Sequence, residues 1–192
     1  DYFKRHELED ARLSAEVLLA HVAGCRRIDV YTRFEQAFAE DVLAKYRDLV
    51  RRAAAQEPIA YLVGEKEFYS LAFKVTRDVL IPRPETETLV ETVVDQCTTT
   101  GNGQARILDL GTGSGCLAIS ILKQLPQALA VATDVSPAAL EIARENAQRH
   151  NLLERITFLY ADRLKLPEVT VSQGKFDILV SNPPYVPVAN WP

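Results

Sequence analysis

Methionine is absent from this chain of 192 residues, which begins at Asp1, so an initiator is expected to have been removed or to lie outside the sequence. Cysteine is scarce. Cys25, Cys97 and Cys116 are scattered without metal-ligand spacing, which excludes a disulfide framework and reads as reduced thiols in a cytoplasmic protein. His6, His21 and His150 are equally dispersed, so no metal site is expected and surface or helix positions are. No apolar run approaches the ~20 residues that span a bilayer, and the N-terminus lacks a signal peptide's apolar core. Excess charge is missing as well. The net charge of −4, with a pI near 5.5, argues against a dedicated nucleic-acid surface. Residues 1–57 hold 10 Lys/Arg and 11 Asp/Glu, so no basic arm is set apart there.

What remains is ordinary globular composition, 47% hydrophobic and 25% charged, with room for one sizeable core or two small ones. Leu13, Val17 and Ala20 share one face of a helix that Gly24 would end, and Leu43, Tyr46, Val50, Ala53 and Ala54 mark a second, halted before Pro58. Phe68 to Val75 reads as a short hairpin. Pro84 opens a helix with Leu89, Val90, Val93, Val94 and Cys97 on its buried face, and Thr98 to Gly103 reads as a polar loop. Strands are then expected near 105–110, 129–133, 156–160 and 176–181, and helices near 115–124 and 137–150, the last opened by Ser136-Pro137. Such alternation means a parallel, doubly wound α/β sheet with helices on both faces, whose ligands sit beyond the carboxyl ends of the strands. The chain stops at Pro192, soon after the fourth strand, and a C-terminal truncation is expected.

Four of those strand ends carry chemistry. Asp109-Leu110-Gly111-Thr112-Gly113-Ser114-Gly115 forms a strand, a glycine-rich turn and a helix start, the arrangement in which backbone approaches a ligand closely. Its Gly-x-Gly-x-Gly spacing is not the Gly-x-Gly-x-x-Gly of dinucleotide binders. Asp134 ends the second strand, where a carboxylate can take both hydroxyls of a ribose or cap the following helix. Asp109 is open to a structural role, bonding the loop's amides. Asp162 ends the third strand. Asn182-Pro183-Pro184-Tyr185 follows the fourth: two prolines end the sheet ladder, leaving carbonyls, a side-chain amide and an aromatic ring at one edge. That combination suits an exocyclic or amide –NH₂ group. Glu85 and Glu87 favour a helix N-terminus, and Arg83 is open to pairing with one of them or to meeting a substrate.

Taken together, these segments resemble class I S-adenosylmethionine-dependent methyltransferases that act on nitrogen. Val79 to Glu87, with Ile81-Pro82-Arg83-Pro84-Glu85-Thr86-Glu87 at its centre, resembles the peptide chain release factor glutamine N5-methyltransferases. The resemblance implies an N-terminal helical substrate-docking domain (1–60), a linking hairpin (61–78) and a Rossmann-like methyltransferase domain (79–192) without its last strands. It implies S-adenosyl-L-methionine as cofactor and S-adenosyl-L-homocysteine as product, held by Gly111, Thr112, Gly113, Ser114, Gly115, Asp134, Asp162, Arg163 and Asn182. Family members often carry an aromatic residue where Arg163 stands, so adenine stacking there is not implied. The substrate amide falls to Asn182, Pro183, Pro184 and Tyr185, with Asn182, Pro183 and Tyr185 at the reacting centre. Class 1 release factors are the implied partner, and no membrane, no direct nucleic acid and a monomer are expected. A ribosomal-protein glutamine, the amino group of adenine or guanine in nucleic acid, and a binding fragment without turnover remain alternatives.

Overall fold

The computed structural model describes residues 2–6, 8, 10–32, 37–162, 165–166 and 174–183, and these form two compact units divided after Gly64. The first unit is helical: α1 (Tyr2–Arg5), α2 (Ala11–Ala23), α3 (Arg27–Thr32), α4 (Glu40–Ala54) and α5 (Ile59–Val63). Its core gathers Phe3, Leu18, Ala53 and Leu62. α2 meets this core through Leu18 and the partly buried Ala11 and Ala15; of the expected Leu13, Val17 and Ala20, Ala20 is buried but Leu13 is 40% exposed. Both sets have helical spacing; the small Ala11 and Ala15 admit α4, whose Tyr46 Oη donates to Ala15 O at 3.4 Å. Gly24 ends α2 as expected, and Cys25 N–H reaches back to Ala20 O.

The second unit opens with a hairpin, β1 (Glu65–Phe68) and β2 (Leu71–Lys74), starting earlier than the Phe68–Val75 span expected. Tyr69 and Ser70 hold φ of 50° and 58°, the type I′ geometry that matches strand twist, reached here without glycine. Glu87 Oε1 accepts the Tyr69 N–H at 2.8 Å and fixes that turn. Pro84–Thr86 forms a 3₁₀ turn, and α6 proper runs Glu87–Thr100. The polar loop expected from Thr98 is therefore helical to Thr100. Thr98 and Thr100 turn their hydroxyls onto the carbonyls of Val94 and Gln96, both at 2.8 Å, which lets polar residues continue the helix. Leu89, expected inside, is 37% exposed.

Then come β3 (Arg106–Leu110), α7 (Cys116–Gln124), β4 (Leu129–Asp134), α8 (Pro137–Arg149), β5 (Ile156–Tyr160) and β6 (Ile178–Ser181). The four strands are parallel, in the order β5-β4-β3-β6. Ser136 Oγ accepts the Ala139 N–H and caps α8, as its sequence predicts. Ile107, Ala130, Ala132, Ile156 and Val180 share one sheet face, and α6, α7 and α8 bury it through Val90, Val93, Leu117, Ile121 and Ala147. Arg155 donates to the carbonyls of Leu122, Leu125 and Ala128, closing the C-terminal end of α7. Among the described residues no helix is long and apolar enough to cross a membrane, and no cluster of His, Cys, Asp and Glu could hold a metal ion.

Candidate functional site

Strand order places the site. From β3 the sheet grows through β4 to β5 in one direction, and the chain then returns to add β6 on the other side of β3. The connections leaving β3 and β6 diverge at that point and open a crevice beyond the carboxyl ends. Gly111–Gly115 follows β3, and Asn182 follows β6.

The glycine loop is held by its own neighbours. Gly111, Gly113 and Gly115 take φ of 68°, 55° and 80°, a region that disfavours any side chain. Among the described residues, a Cβ on Gly111 or Gly113 would meet no atom within 4 Å, whereas one on Gly115 would lie 3.1 Å from Ile119 Cδ1 and 3.2 Å from Ala143 Cβ. Gly115 thus lets α7 and α8 close together, and the other two leave open space in front of the loop. Thr112 N–H donates to Thr133 O at 2.8 Å, and Thr112 Oγ1 donates to Asp109 Oδ2 at 2.7 Å. Thr112 and Ser114 are buried, so they support the loop from within.

Asp134 spends both oxygens on backbone: Oδ2 accepts from Gly113 N–H and Oδ1 from Ser136 N–H, each at 2.9 Å. Each oxygen keeps a lone pair, so bracing the loop leaves capacity for a ligand hydroxyl. Asp109 is fully buried, with Oδ2 accepting from Thr112 and Ala118 and Oδ1 without a partner among the described residues. Burial pushes its carboxyl up to about 6 against the pull of those two bonds. Burial likewise pushes the Cys116 thiol up to about 12, so it stays protonated and is no nucleophile. Asp162 lies beyond β5, exposed and paired with Lys165 at 3.1 Å. Arg163, Pro184 and Tyr185 lie outside the described residues, and Pro183 is exposed.

Asn182 is half-buried. Ser181 Oγ donates to Leu110 O at 2.9 Å, pinning the preceding residue to the end of β3. Asn182 Nδ2 donates to Thr86 Oγ1 at 3.1 Å, which brings the Pro82–Glu87 segment to this edge. Thr86 has no assigned role in the sequence reading, and only its membership of that segment hints at one. Asn146 is the other residue missed. Fully buried on α8, it accepts Lys74 N–H and donates to Lys74 O and Ser114 O, joining the exit of the hairpin to the glycine loop. A polar residue on the apolar stripe of Leu140, Ala143 and Ala147 is the signal that marks it.

A different concavity, of about 440 Å³, lies on the first unit between Asp10, Arg12, Glu16, Arg27 and Tyr31. Glu16 there already serves Arg12, Arg27 and Tyr31, so the charges are matched internally.

Known proteins match along most of the chain. Residues 1–64 fit the model of the PrmC N-terminal domain, and residues 102–190 that of a methyltransferase domain. A release factor glutamine methyltransferase of Chlorobaculum tepidum is 42% identical over 99% of this chain and 66% of its own length. The enzyme of that name from Rhodopirellula baltica is 42% identical over 97% of this chain and 62% of its own length. The chain thus spans slightly less than two thirds of these relatives. Among solved structures, the METTL16 methyltransferase domain superposes with a TM-score of 0.50 at 23% identity, covering 62% of this chain and 55% of that one, a likeness of fold.

Proposed function

Because the chain belongs to the release factor glutamine methyltransferase family, we propose that its protein methylates the side-chain amide nitrogen of a glutamine, the one in the Gly-Gly-Gln motif of class 1 release factors. The observation that carries this reading is the half-buried Asn182 amide beside an open, positive-φ glycine loop at the sheet's switch point.

The residues fit S-adenosyl-L-methionine. Gly111 and Gly113 leave a cradle that a Cβ would occupy, and Asp134 keeps lone pairs for ribose hydroxyls at the end of β4. Asp162 stands at the next strand end, toward the adenine side, with Arg163 beside it in sequence. When bound, the cofactor supplies an electrophilic methyl group on a sulfonium and becomes S-adenosyl-L-homocysteine. An amide nitrogen is a poor nucleophile because its lone pair is shared with the carbonyl. Asn182 Oδ1 and the Pro183 carbonyl accept its two N–H bonds, orient it and favour positive charge growing there. The family resemblance assigns the aromatic ring of Tyr185 to the same amide. No strong base is required beforehand, since the proton leaves to water after transfer.

The first unit serves as the docking surface for the release factor, and the protein works as a monomer in the cytoplasm. Two measurements test the reading. Calorimetry with S-adenosyl-L-methionine is expected to show tight binding that Gly113→Ala weakens at least tenfold, an order set by loss of close backbone approach. Radiolabelled methyl transfer is then run on a release factor, a ribosomal-protein fraction and DNA side by side, with the protein extended to the length of its relatives. Label is expected in the release factor. Label confined to ribosomal protein or to DNA overturns the substrate.

A further inference from the structure

Asn182 is the residue on which amide recognition turns, yet a primary amide does not fix itself. Its oxygen and nitrogen ends have nearly the same shape, and whichever end faces the substrate decides between accepting and donating. Here Nδ2 points at Thr86 Oγ1, and among the described residues Oδ1 has no protein partner and is not a buried orphan. Thr86 is 7% exposed and held in the 3₁₀ turn by its N–H bond to Arg83 O at 3.0 Å. Pro82, buried, and Pro84 stiffen the chain on the N-terminal side. Glu87, the next residue, is tied to the hairpin at Tyr69 N–H. The hydroxyl that meets Asn182 therefore stands on a braced support.

Resting on the proposed methylation of a glutamine amide, we infer that Thr86 is a positioning residue: its hydroxyl takes the donor end of Asn182 and leaves the acceptor end for the substrate N–H. Thr86 touches neither substrate nor cofactor in this scheme and acts only through Asn182. It also gives the Ile81–Glu87 segment a duty at the site beyond starting a helix. With Ser181 pinned to Leu110 O, Asn182 is gripped twice, once through its backbone neighbour and once through its side chain.

The test uses the full-length protein with Thr86→Val, which keeps the shape and removes the acceptor, Thr86→Ala, which cannot overpack, and Thr86→Ser, which keeps a hydroxyl. Single-turnover methyl transfer to a release factor at saturating cofactor is expected to slow between about tenfold and 10²-fold in Thr86→Val and Thr86→Ala, with cofactor affinity unchanged. Thr86→Ser is expected within about threefold of wild type, and Thr86→Val in an Asn182→Ala background to lose no more than about twofold further. A merely structural role would instead lower cofactor affinity and turnover together and persist in that background. Either result, or full turnover by Thr86→Val, overturns the inference. A second readout needs no substrate. The side-chain ¹⁵NH₂ resonance of Asn182, identified by its loss in Asn182→Ala, is expected to show one slowly exchanging proton that Thr86→Val and Thr86→Ala release. If wild type methylates nothing offered, the substrate reading fails while this resonance still decides whether Thr86 holds Asn182; fast exchange of both protons in wild type refutes it.

Discussion

The two walls of the crevice end neighbouring strands, yet they are built in opposite ways. The loop after β3 is fixed by what is already adjacent: Asp109 three residues before Thr112, Thr133 on the paired strand, and Asp134, 21 residues beyond Gly113. Asn182, after β6, is fixed by Thr86, 96 residues away in sequence. Secondary structure alone brings the first set together, since pairing β3 with β4 aligns Leu110 with Thr133. The second exists only once the 3₁₀ turn, α6 and the sheet have packed. On the proposed function, the wall assigned to the cofactor is built locally, whereas the wall assigned to the substrate amide depends on a segment distant in sequence.

The largest expected effect breaks the distant wall. On the proposed function, Asn182→Ala removes one acceptor for the substrate amide and should lower the rate of methyl transfer by about 10²–10³, the range for one preorganised polar contact at a reacting centre. Cofactor affinity, which the same proposal assigns to the loop wall, should stay within about twofold, measured by calorimetry on the same samples. Near-normal transfer, or a loss explained wholly by weaker cofactor binding, would place the amide grip elsewhere.

The same contrast governs what was legible beforehand. The alternation of apolar runs gives the four strands of the sheet within about two residues, because buried parallel strands and capped helices write themselves locally: Ser136-Pro137 is the start of α8. The Gly111–Gly115 loop is legible for the same reason. The face of α2 is legible only in part, Ala20 being buried as expected, because Leu13, Val17, Ala20 and Ala11, Ala15, Leu18 are both sound helical stripes and only the partner helix chooses. Thr98 and Thr100 look like loop residues until their hydroxyls are seen bonding the previous turn. Asn146 and Thr86 carry tertiary hydrogen bonds, and nothing local names the partners Lys74, Ser114 or Asn182.

The local wall has its own weak point, the buried carboxyl of Asp109. Its pKa rises from 3.8 to about 6 on folding because burial disfavours the charged form. Between those values the folded chain binds more protons than the unfolded one, so stability falls as pH rises. The contribution is complete below about pH 4 and lost as pH passes about 6, on the order of 3 kcal/mol in all. Asp109→Asn removes the titration. Urea unfolding across pH 4 to 7.5 should show wild type losing stability relative to the variant over that window, with the variant ahead at pH 7. A difference that stays flat with pH would mean the carboxyl is not the strained group in this wall.

The smallest effects sharpen the comparison inside the loop itself, where two glycines of similar backbone do different work. Gly115→Ala puts a methyl group at φ 80° and against Ile119 and Ala143, where α7 meets α8. Strain and overpacking together should cost about 2–3 kcal/mol of stability. Gly113→Ala also strains the backbone, at φ 55°, but its methyl enters open space, so about 1 kcal/mol is expected. Binding should rank them the other way. Gly113→Ala fills the cradle and weakens cofactor affinity at least tenfold, whereas Gly115→Ala, whose methyl points into the helix packing, should lose less affinity at temperatures where it stays folded. Thermal melts paired with calorimetry give both rankings. If the two orders coincide, the loop is a single structural unit and its open face is not what binds.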